Sequence, residues 1–545
     1  MSLNGHRSKT RLKSFITAIT FIVVLWAIGI TGDPVFPEDI NGLDEFQAKV
    51  LSLIQQPKWD SAFWGIDIVS LDDGTTLYSL NAHKRFFPAS NMKILTCAAF
   101  LDGVDTQERI TTPVYVTGRI DKWGRVLGDL VLLGRGDPNL ERREYKTERE
   151  PFESRAYPSS ITSIVDQLQS RGIKTIEGDI VVDDTYFLHQ PFGFAWTIED
   201  SAWGYGAPVS ALVVNENMIA VKMLPGERSN DLALFQTSPM ETGLRIVLNR
   251  VRTIGNHENA TVSLTHEQES GLLLFTGAIS QSQSELNYQV AVPDPSRFAG
   301  ALLKAALMQR GLLVKGDVKS RNLEPAEVLE GKEIPPGKTR SGQHDFSEET
   351  KVAAIHGVPL FESLKIMMKE SQNLYAECLL RLLGARTAGV GSIETGLAAL
   401  GKFMMKTGTP EASLKIKDAS GISRKNLVTP ESIVRVLAYM DHHPQSEKFL
   451  DTFPVAGRDG TLKIRFQGTT AAGRIRAKTG SMESVSTLSG YAMTRPGAHL
   501  AFSLMVNNEV GSQQDVRETL DQLCLWIVDL APKTKDDPNS PHQAK

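Results

Sequence analysis

Pro88-Ala89-Ser90-Asn91-Met92-Lys93-Ile94-Leu95-Thr96-Cys97-Ala98-Ala99-Phe100-Leu101 is the stretch of this chain that says most about its architecture. From Ser90 to Leu101 it predicts a helix that is apolar nearly all round, the pattern of a buried central helix. Residues three apart share a helix face, so the Lys93 amine reaches the Ser90 hydroxyl. A serine is a weak nucleophile until a neighbouring base takes its proton. A lysine serves as that base only when neutral near pH 7, and burial or a second cation lowers its pKa. Among Met92, Ile94, Leu95, Cys97 and Ala98 an unpaired charge is costly. Ser-x-x-Lys by itself recurs by chance on surface helices; its weight here comes from the apolar setting.

Working outward, Phe63–Leu71 and Thr75–Leu80 read as two strands joined by Asp72-Asp73-Gly74, a hairpin signal. From about Arg109 to Gly342 the texture is different. Short β-like runs dominate, among them Pro113–Ile120, Val126–Leu133, Gly178–Val182 and Leu272–Gly277, with helix candidates at Ser160–Gln169 and Ser296–Gln309. Pro335-Pro336-Gly337 and Lys338–Glu349 read as a linker. Helical texture returns over Leu360–Leu383, broken by Ser371-Gln372-Asn373, and continues at Ile393–Met405 and Pro430–Tyr439. Arg474–Thr479, Val485–Thr494 and Leu500–Val506 predict an antiparallel meander, followed by a helix over Asp515–Leu530. The expected fold is α+β: one domain of antiparallel sheet and helices, interrupted by a large β-rich insertion. The expected segments are a leader over 1–32, the first part of the domain over 33–107, the insertion over 108–345, the second part over 346–531 and a disordered tail over 532–545.

Two further elements accompany Ser90 and Lys93. In Ser371-Gln372-Asn373, a serine and an asparagine two apart on a loop can face one cleft. The hydroxyl can relay a proton and the amide can hold a peptide carbonyl, although such residues are also common in plain interhelical turns. In Lys478-Thr479-Gly480-Ser481 the glycine lets a substrate backbone approach the strand, and Lys478 and Thr479 offer charge and a hydroxyl to a carboxylate. The bland reading is an exposed strand end.

Ser-x-x-Lys, Ser-x-Asn and Lys-Thr-Gly, in that order, form the motif series of penicillin-binding proteins and serine β-lactamases. The surroundings resemble more closely the class C low-molecular-mass penicillin-binding proteins, the D-alanyl-D-alanine carboxypeptidase/endopeptidase family. The resemblance runs through Gly134-x-Gly136-Asp137-Pro138, Tyr205–Leu212 with Asn215 and Asn217, Leu374-Tyr375-Ala376-Glu377, Asp418–Arg424, and Pro454–Leu462. It implies a transpeptidase-like domain with β-rich insertions, acyl transfer through Ser90, and Lys93 as its base. It also implies Ser371 in proton relay with Lys93 or Lys478, Asn373 on the substrate amide, Thr479 and Lys478 on the terminal carboxylate, and an oxyanion hole from the Ser90 and Ser481 N–H groups beside Gly480. Peptidoglycan stem peptides would be the substrate and β-lactam antibiotics covalent inhibitors, with no metal or cofactor. The alternatives are a serine β-lactamase or a catalytically silent cell-wall scaffold. Gln372 stands where many relatives carry Asp, and Glu141–Glu153 matches nothing in the family pattern. Asp418, Ser420 and Gly421 read as a structural loop entering a helix, Tyr205–Leu212 as packing of the insertion, and Asp137 as a turn former.

Bulk properties agree with an exported enzyme. The chain has 545 residues, too many for one core, and a net charge of −4 with both signs scattered. No basic stripe is present, so nucleic acid is not an expected partner. His6, Arg7, Lys9, Arg11 and Lys13 precede the apolar run Phe15–Ile30, which reads as a signal peptide with an uncleaved membrane anchor as the alternative. Export places the protein in the periplasm or its extracytoplasmic equivalent. The three cysteines, Cys97, Cys378 and Cys524, all sit in apolar helical runs and read as small buried hydrophobes. His442-His443 before Pro444 reads as a solvated turn.

Overall fold

The computed structural model describes residues 41–145, 157–239, 246–255, 261–267, 272–325 and 346–531. The leader, most of the linker and the tail lie outside the described residues, as does most of Glu141–Glu153. The chain divides into two units, Met1–Glu45 and Phe46–Lys545, and the second holds the candidate site.

In chain order, α1 (Asn41–Ile54) precedes the hairpin β1 (Phe63–Ser70) and β2 (Thr76–Leu80), then α2 (Met92–Gly103). Next come β3 (Arg109–Val116), β4 (Arg119–Ile120), β5 (Arg125–Leu127), β6 (Leu130–Leu133), α3 (Ser159–Ser170), β7 (Thr175–Ile176) and β8 (Ile180–Leu188). They are followed by β9 (Met218–Leu224), β10 (Leu234–Ser238), β11 (Val247–Ile254), β12 (Val262–His266), β13 (Leu273–Ser280) and β14 (Leu286–Ala291). Then come α4 (Pro295–Gln309), β15 (Leu313–Val314), β16 (Val318–Leu323) and β17 (Lys351–Pro359). The chain continues with α5 (Leu360–Lys369), α6 (Asn373–Ala388), α7 (Ile393–Lys406), α8 (Pro430–Asp441) and α9 (Ser446–Thr452). It closes with β18 (Ile475–Met482), β19 (Val485–Met493), β20 (His499–Asn507) and α10 (Gln513–Asp529).

The two ends of the chain build one sheet. Its order is β18-β19-β20-β1-β2, antiparallel throughout, with Phe63 opposite Asn507 and Ser70 opposite Leu500. β19 and β20 are buried along nearly their whole length, so both sheet faces are covered. That is why β20 reads as a near-continuous apolar run rather than an alternating one. α8 packs on β1, β19 and β20, and α10 on β19. One hydrophobic core joins α2 to α5, α6, α7 and α8, with Tyr491, Ala501 and Met505 from the sheet.

A second core belongs to the segment between α2 and α5. Its largest sheet, β16-β8-β6-β3-β17, is mixed: β16 and β6 run parallel to β8, whereas β17 and β6 run antiparallel to β3. A four-stranded sheet (β15-β7-β5-β4) and two three-stranded sheets (β10-β9-β14 and β11-β13-β12) complete it. The architecture is α+β, as expected, with β-rich structure between α2 and the later helices.

Three local expectations are corrected. The helix begins at Met92, not Ser90, because Ala89 takes a left-handed φ of 45° and Ala89–Asn91 form a 3-10 turn. Pro113–Ile120 and Val126–Leu133 are each two short strands rather than one. His443 is not solvated: its side chain is mostly buried, with Nε2 3.4 Å from Asp102 on α2. His442 caps the C-terminal end of α8 and is exposed. The three cysteines are buried and unpaired, and burial pushes the Cys97 thiol up to about 12.

Candidate active site

The turn that ends at α2 presents Ser90 half-buried at the helix entrance, with Lys93 fully buried one turn on. Lys93 Nζ has three oxygen neighbours. It lies 2.9 Å from Ser90 Oγ, 2.6 Å from Asn373 Oδ1 and 2.7 Å from the Ser420 carbonyl. Burial pushes the Lys93 amine down to about 7, against the opposing pull of Asp418 and Glu377.

Ser371 occupies the break between α5 and α6 with a left-handed φ of 62°. Gln372 caps α6 by accepting the Leu374 N–H at 3.2 Å. Asn373 opens the helix, and its amide is oriented at both ends: Nδ2 donates to the Tyr205 carbonyl at 2.8 Å while Oδ1 faces Lys93. Lys478 on β18 is fully buried and donates to Ser371 Oγ at 2.9 Å and to the Thr479 carbonyl at 2.7 Å. Burial and the nearby Lys93 hold its pKa well below that of an ordinary lysine. Thr479 Oγ1 donates to Thr461 Oγ1 at 2.9 Å. The structure thus brings Ser90, Lys93 and Asn373 into one hydrogen-bonded group and Ser371, Lys478 and Thr479 into a second, with Lys93 near enough to act on the charge of Lys478.

Gly480 has a different use from the one its sequence suggests. A Cβ there would overlap Thr487 Oγ1 and lie 3.0 Å from both the Pro88 carbonyl and the Ser90 nitrogen. The glycine lets β18 close on the Pro88-Ala89-Ser90 turn, and Thr487 secures the same turn by donating to the Pro88 carbonyl at 3.0 Å. The backbone of Gly480-Ser481 therefore runs beside the Ser90 N–H. Ser481 itself is exposed at the strand end.

Several residues that the sequence named only as structural, or without a role, support the site. The loop after Asp418 runs to Thr429 before α8 begins and is not an immediate helix entry. It carries the Ser420 carbonyl to Lys93, and Gly421, at φ 92°, packs so closely on the Ala89 carbonyl that a side chain would overlap it. Asp418 holds the loop by accepting from Gly421 N, Ser423 N, Asn426 Nδ2 and Trp196 Nε1. Glu377, fully buried on α6, accepts from the N–H groups of Ala419 and Ser420 and pairs with the buried Arg381 one turn on. A buried i,i+4 Glu-Arg pair inside an apolar helix was the signal that could have found it. Tyr205 does not simply pack the insertion: its ring is half exposed and its carbonyl holds Asn373. Asp137 does form a turn, accepting from Asn139 N at 2.9 Å, but is buried, and burial raises its carboxyl to about 7. Arg143, inside the unplaced Glu141–Glu153 segment, bridges Glu216 and Glu370, and Glu216 accepts from Gln372 Nε2.

Comparison with known proteins identifies the family. The model of the D-Ala-D-Ala carboxypeptidase 3 (S13) family matches residues 46–529. A D-alanyl-D-alanine carboxypeptidase of Actinomadura sp. (strain R39) is 30% identical over 485 residues, covering 86% of this chain and 82% of the relative. The D-alanyl-D-alanine carboxypeptidase DacB of Haemophilus influenzae is 24% identical over 442 residues, 80% of this chain and 84% of that one. The crystal structure of penicillin binding protein 4 from Haemophilus influenzae superposes with a TM-score of 0.73 at 23% identity, over 88% of this chain and 98% of the other.

Proposed function

The chain belongs to the D-Ala-D-Ala carboxypeptidase 3 (S13) family of serine peptidases, and we propose that it cleaves the D-alanyl-D-alanine bond of peptidoglycan stem peptides through an acyl-enzyme on Ser90. The names of its relatives support the substrate class. The observation that carries the mechanism is the set of partners around Lys93. Asn373 Oδ1 and the Ser420 carbonyl can only accept. A neutral lysine has two N–H groups, which these two oxygens occupy. Its lone pair is then left for the Ser90 hydroxyl, 2.9 Å away. Lys93 is thereby a preoriented base.

The Ser90 proton moves to Lys93 Nζ as Oγ bonds to the carbonyl carbon between the two D-alanines. The oxyanion that forms is met by the Ser90 and Ser481 N–H groups, a contact that acts mainly on the transition state. Asn373 orients the substrate amide. As the C–N bond breaks, Ser371 delivers a proton to the departing amine and is resupplied through Lys478 with the proton that Lys93 took from Ser90, which leaves Lys93 neutral again. Thr479 and Lys478 receive the terminal carboxylate. Water then attacks the ester, with Lys93 again the base, and frees Ser90. A β-lactam carbonyl enters by the same first step and stops at the acyl-enzyme; the Haemophilus influenzae relative has been crystallised in complex with a β-lactam.

The domain organisation supports this reading through two separate cores and the terminal sheet. We assign 33–107 and 346–531 to one transpeptidase-like domain and 108–345 to its insertion. The substrate and the cationic leader place the protein outside the cytoplasmic membrane. Among the described residues no helix is long and apolar enough to cross a membrane. Intact-mass measurement after incubation with penicillin tests the proposal. The expected result is a gain of one antibiotic, mapped to Ser90 and missing in Ser90→Ala. Undiminished labelling of that variant would remove Ser90 from the mechanism.

A further inference from the structure

Ser371 has to point its hydroxyl from Lys478 toward the departing amine, and it does so from a left-handed backbone, φ 62°, that a serine enters only at a cost. The residues on either side of it are both anchored to the inserted segment. Glu370, directly before Ser371, accepts from Arg143 Nη1 at 2.5 Å. Arg143 Nη2 donates to Glu216 Oε1 at 3.0 Å, and the second oxygen of Glu216 accepts from Gln372 Nε2 at 2.5 Å. Glu370, Arg143, Glu216 and Gln372 thus form a bracket that steps over Ser371 and closes on both of its neighbours. The Arg143 and Glu216 side chains are mostly buried, so salt screens the bracket little.

Each piece of the bracket is fixed in turn. The Arg143 N–H donates to Asn139 Oδ1 at 2.9 Å, and the Arg143 carbonyl accepts from Asn139 Nδ2 at 2.7 Å. Glu216 is the middle one of three successive left-handed residues, with φ of 52° at Asn215, 53° at Glu216 and 52° at Asn217. Asparagine tolerates that region, whereas glutamate rarely enters it. Asn217 braces the loop by donating to the Pro208 carbonyl at 2.9 Å, and Asn215 by donating to the Met218 carbonyl at 2.6 Å. A strained, braced loop whose middle side chain reaches both Arg143 and Gln372 is a device for placing one carboxylate. Gln372 answers it with both ends of its amide: Oε1 caps α6, which turns Nε2 toward Glu216. A carboxylate at 372 could cap the helix but would meet Glu216 as a like charge, with no proton to donate.

Resting on the proposed D-alanyl-D-alanine chemistry, we infer that Arg143 and Glu216 are positioning residues for Ser371, through which the inserted segment governs protonation of the leaving amine. They act on the residues flanking Ser371 and take no part in proton transfer. An amide nitrogen leaves only as it gains a proton, and a donor held off its line transfers that proton poorly. A thiolate, whose thiol has an ordinary pKa of about 8.5, leaves without one. With an amide, the C–N bond breaks and the nitrogen takes the Ser371 proton. With a thioester, the C–S bond breaks, the sulfur keeps the electron pair, and the proton that Lys93 took from Ser90 passes to water. Loss of the bracket therefore slows the first reaction and spares the second.

The test measures kcat/KM on a D-alanyl-D-alanine peptide and on its thioester analogue, in which a mercapto acid replaces the terminal D-alanine. The ratio of amide to thioester efficiency is expected to fall about tenfold in Arg143→Met, a part of what a general acid supplies, with the thioester value itself within about twofold of wild type. Gln372→Glu should lower the ratio similarly. Adding Glu216→Gln to that variant should restore it, because the amide placed at 216 still accepts from Arg143 and can donate to the carboxylate placed at 372. A merely structural role would lower both substrates together. A ratio that moves less than about twofold in both single variants, or that the double variant does not recover, would overturn the assignment. The Gln372→Glu pair decides alone if Arg143→Met does not fold. Wild-type protein that penicillin does not acylate would instead overturn the underlying reading.

Discussion

Two buried lysines stand on opposite sides of the site and differ in what surrounds them. Lys93, on α2, has carboxylates behind its carbonyl partners: Asp418 and Glu377 both raise a pKa that burial depresses, leaving it at about 7. Lys478, on β18, has no carboxylate among its influences and has Lys93 as a like charge, so it stays well below the ordinary lysine range. Equal burial thus gives two amines of different use. One can gain and lose a proton near neutral pH, as a base must. The other, held low by burial and a like-charged neighbour, donates to the Ser371 hydroxyl and is suited to passing a proton along it. The supporting carboxylates, not depth, make the distinction.

The largest expected effect comes from deleting the base. Lys93→Met should slow acylation by penicillin by about three orders of magnitude, the middle of the range for a lost general base. A loss under tenfold would move the base elsewhere.

Next comes Glu377→Gln. It leaves the buried Arg381 without its counter-ion and weakens the support of the Ser420 carbonyl. Breaking such a pair costs roughly 3–5 kcal/mol, to be read by urea unfolding. In molecules that remain folded, the pH midpoint of acylation should also move down, because one of the two groups raising the Lys93 pKa is gone.

A third expectation is the pH profile itself. The reactive form is unprotonated Lys93, so acylation should be flat above about 7 and fall about tenfold per unit below it. A flat profile down to pH 5 would contradict the assignment. The smallest effect sharpens the contrast. Lys478 is not among the groups that set the Lys93 pKa, so Lys478→Met should lower the rate but leave the midpoint near 7. A midpoint that rose by a full unit would mean that Lys478 is charged in the native site.

Sequence made the elements easier to read than their connections. The opening hairpin, the closing meander and most helices are legible within a few residues, because periodicity and turn residues are local. The pairing of β1 with β20 is not, since nothing local says which edge a strand will meet. In the site, side-chain chemistry was legible in Ser90, Lys93, Ser371, Asn373 and Lys478. What the sequence could not show is backbone chemistry. The Ser420 and Tyr205 carbonyls and the left-handed Ala89 are positions of main-chain atoms, and any residue type has a carbonyl. Gly480 illustrates the same limit: its missing side chain was legible, but the neighbour that needs the space is Pro88-Ala89-Ser90 of the same chain. Arg143 and Glu216 act on Gln372 from segments distant in sequence, which spacing does not register.

The register of Phe63 opposite Asn507 has a temporal consequence. The partners are 507 − 63 = 444 residues apart, so β1 has no neighbour on that side until the chain is almost completely synthesised. Closing so long a loop costs little more than closing a moderate one, but it must come late and slowly. Until then β18 cannot press on the nucleophile turn, and Ser90 has neither its strand nor its second lysine. The enzyme is therefore born inert, and competence arrives all at once when the last strands dock.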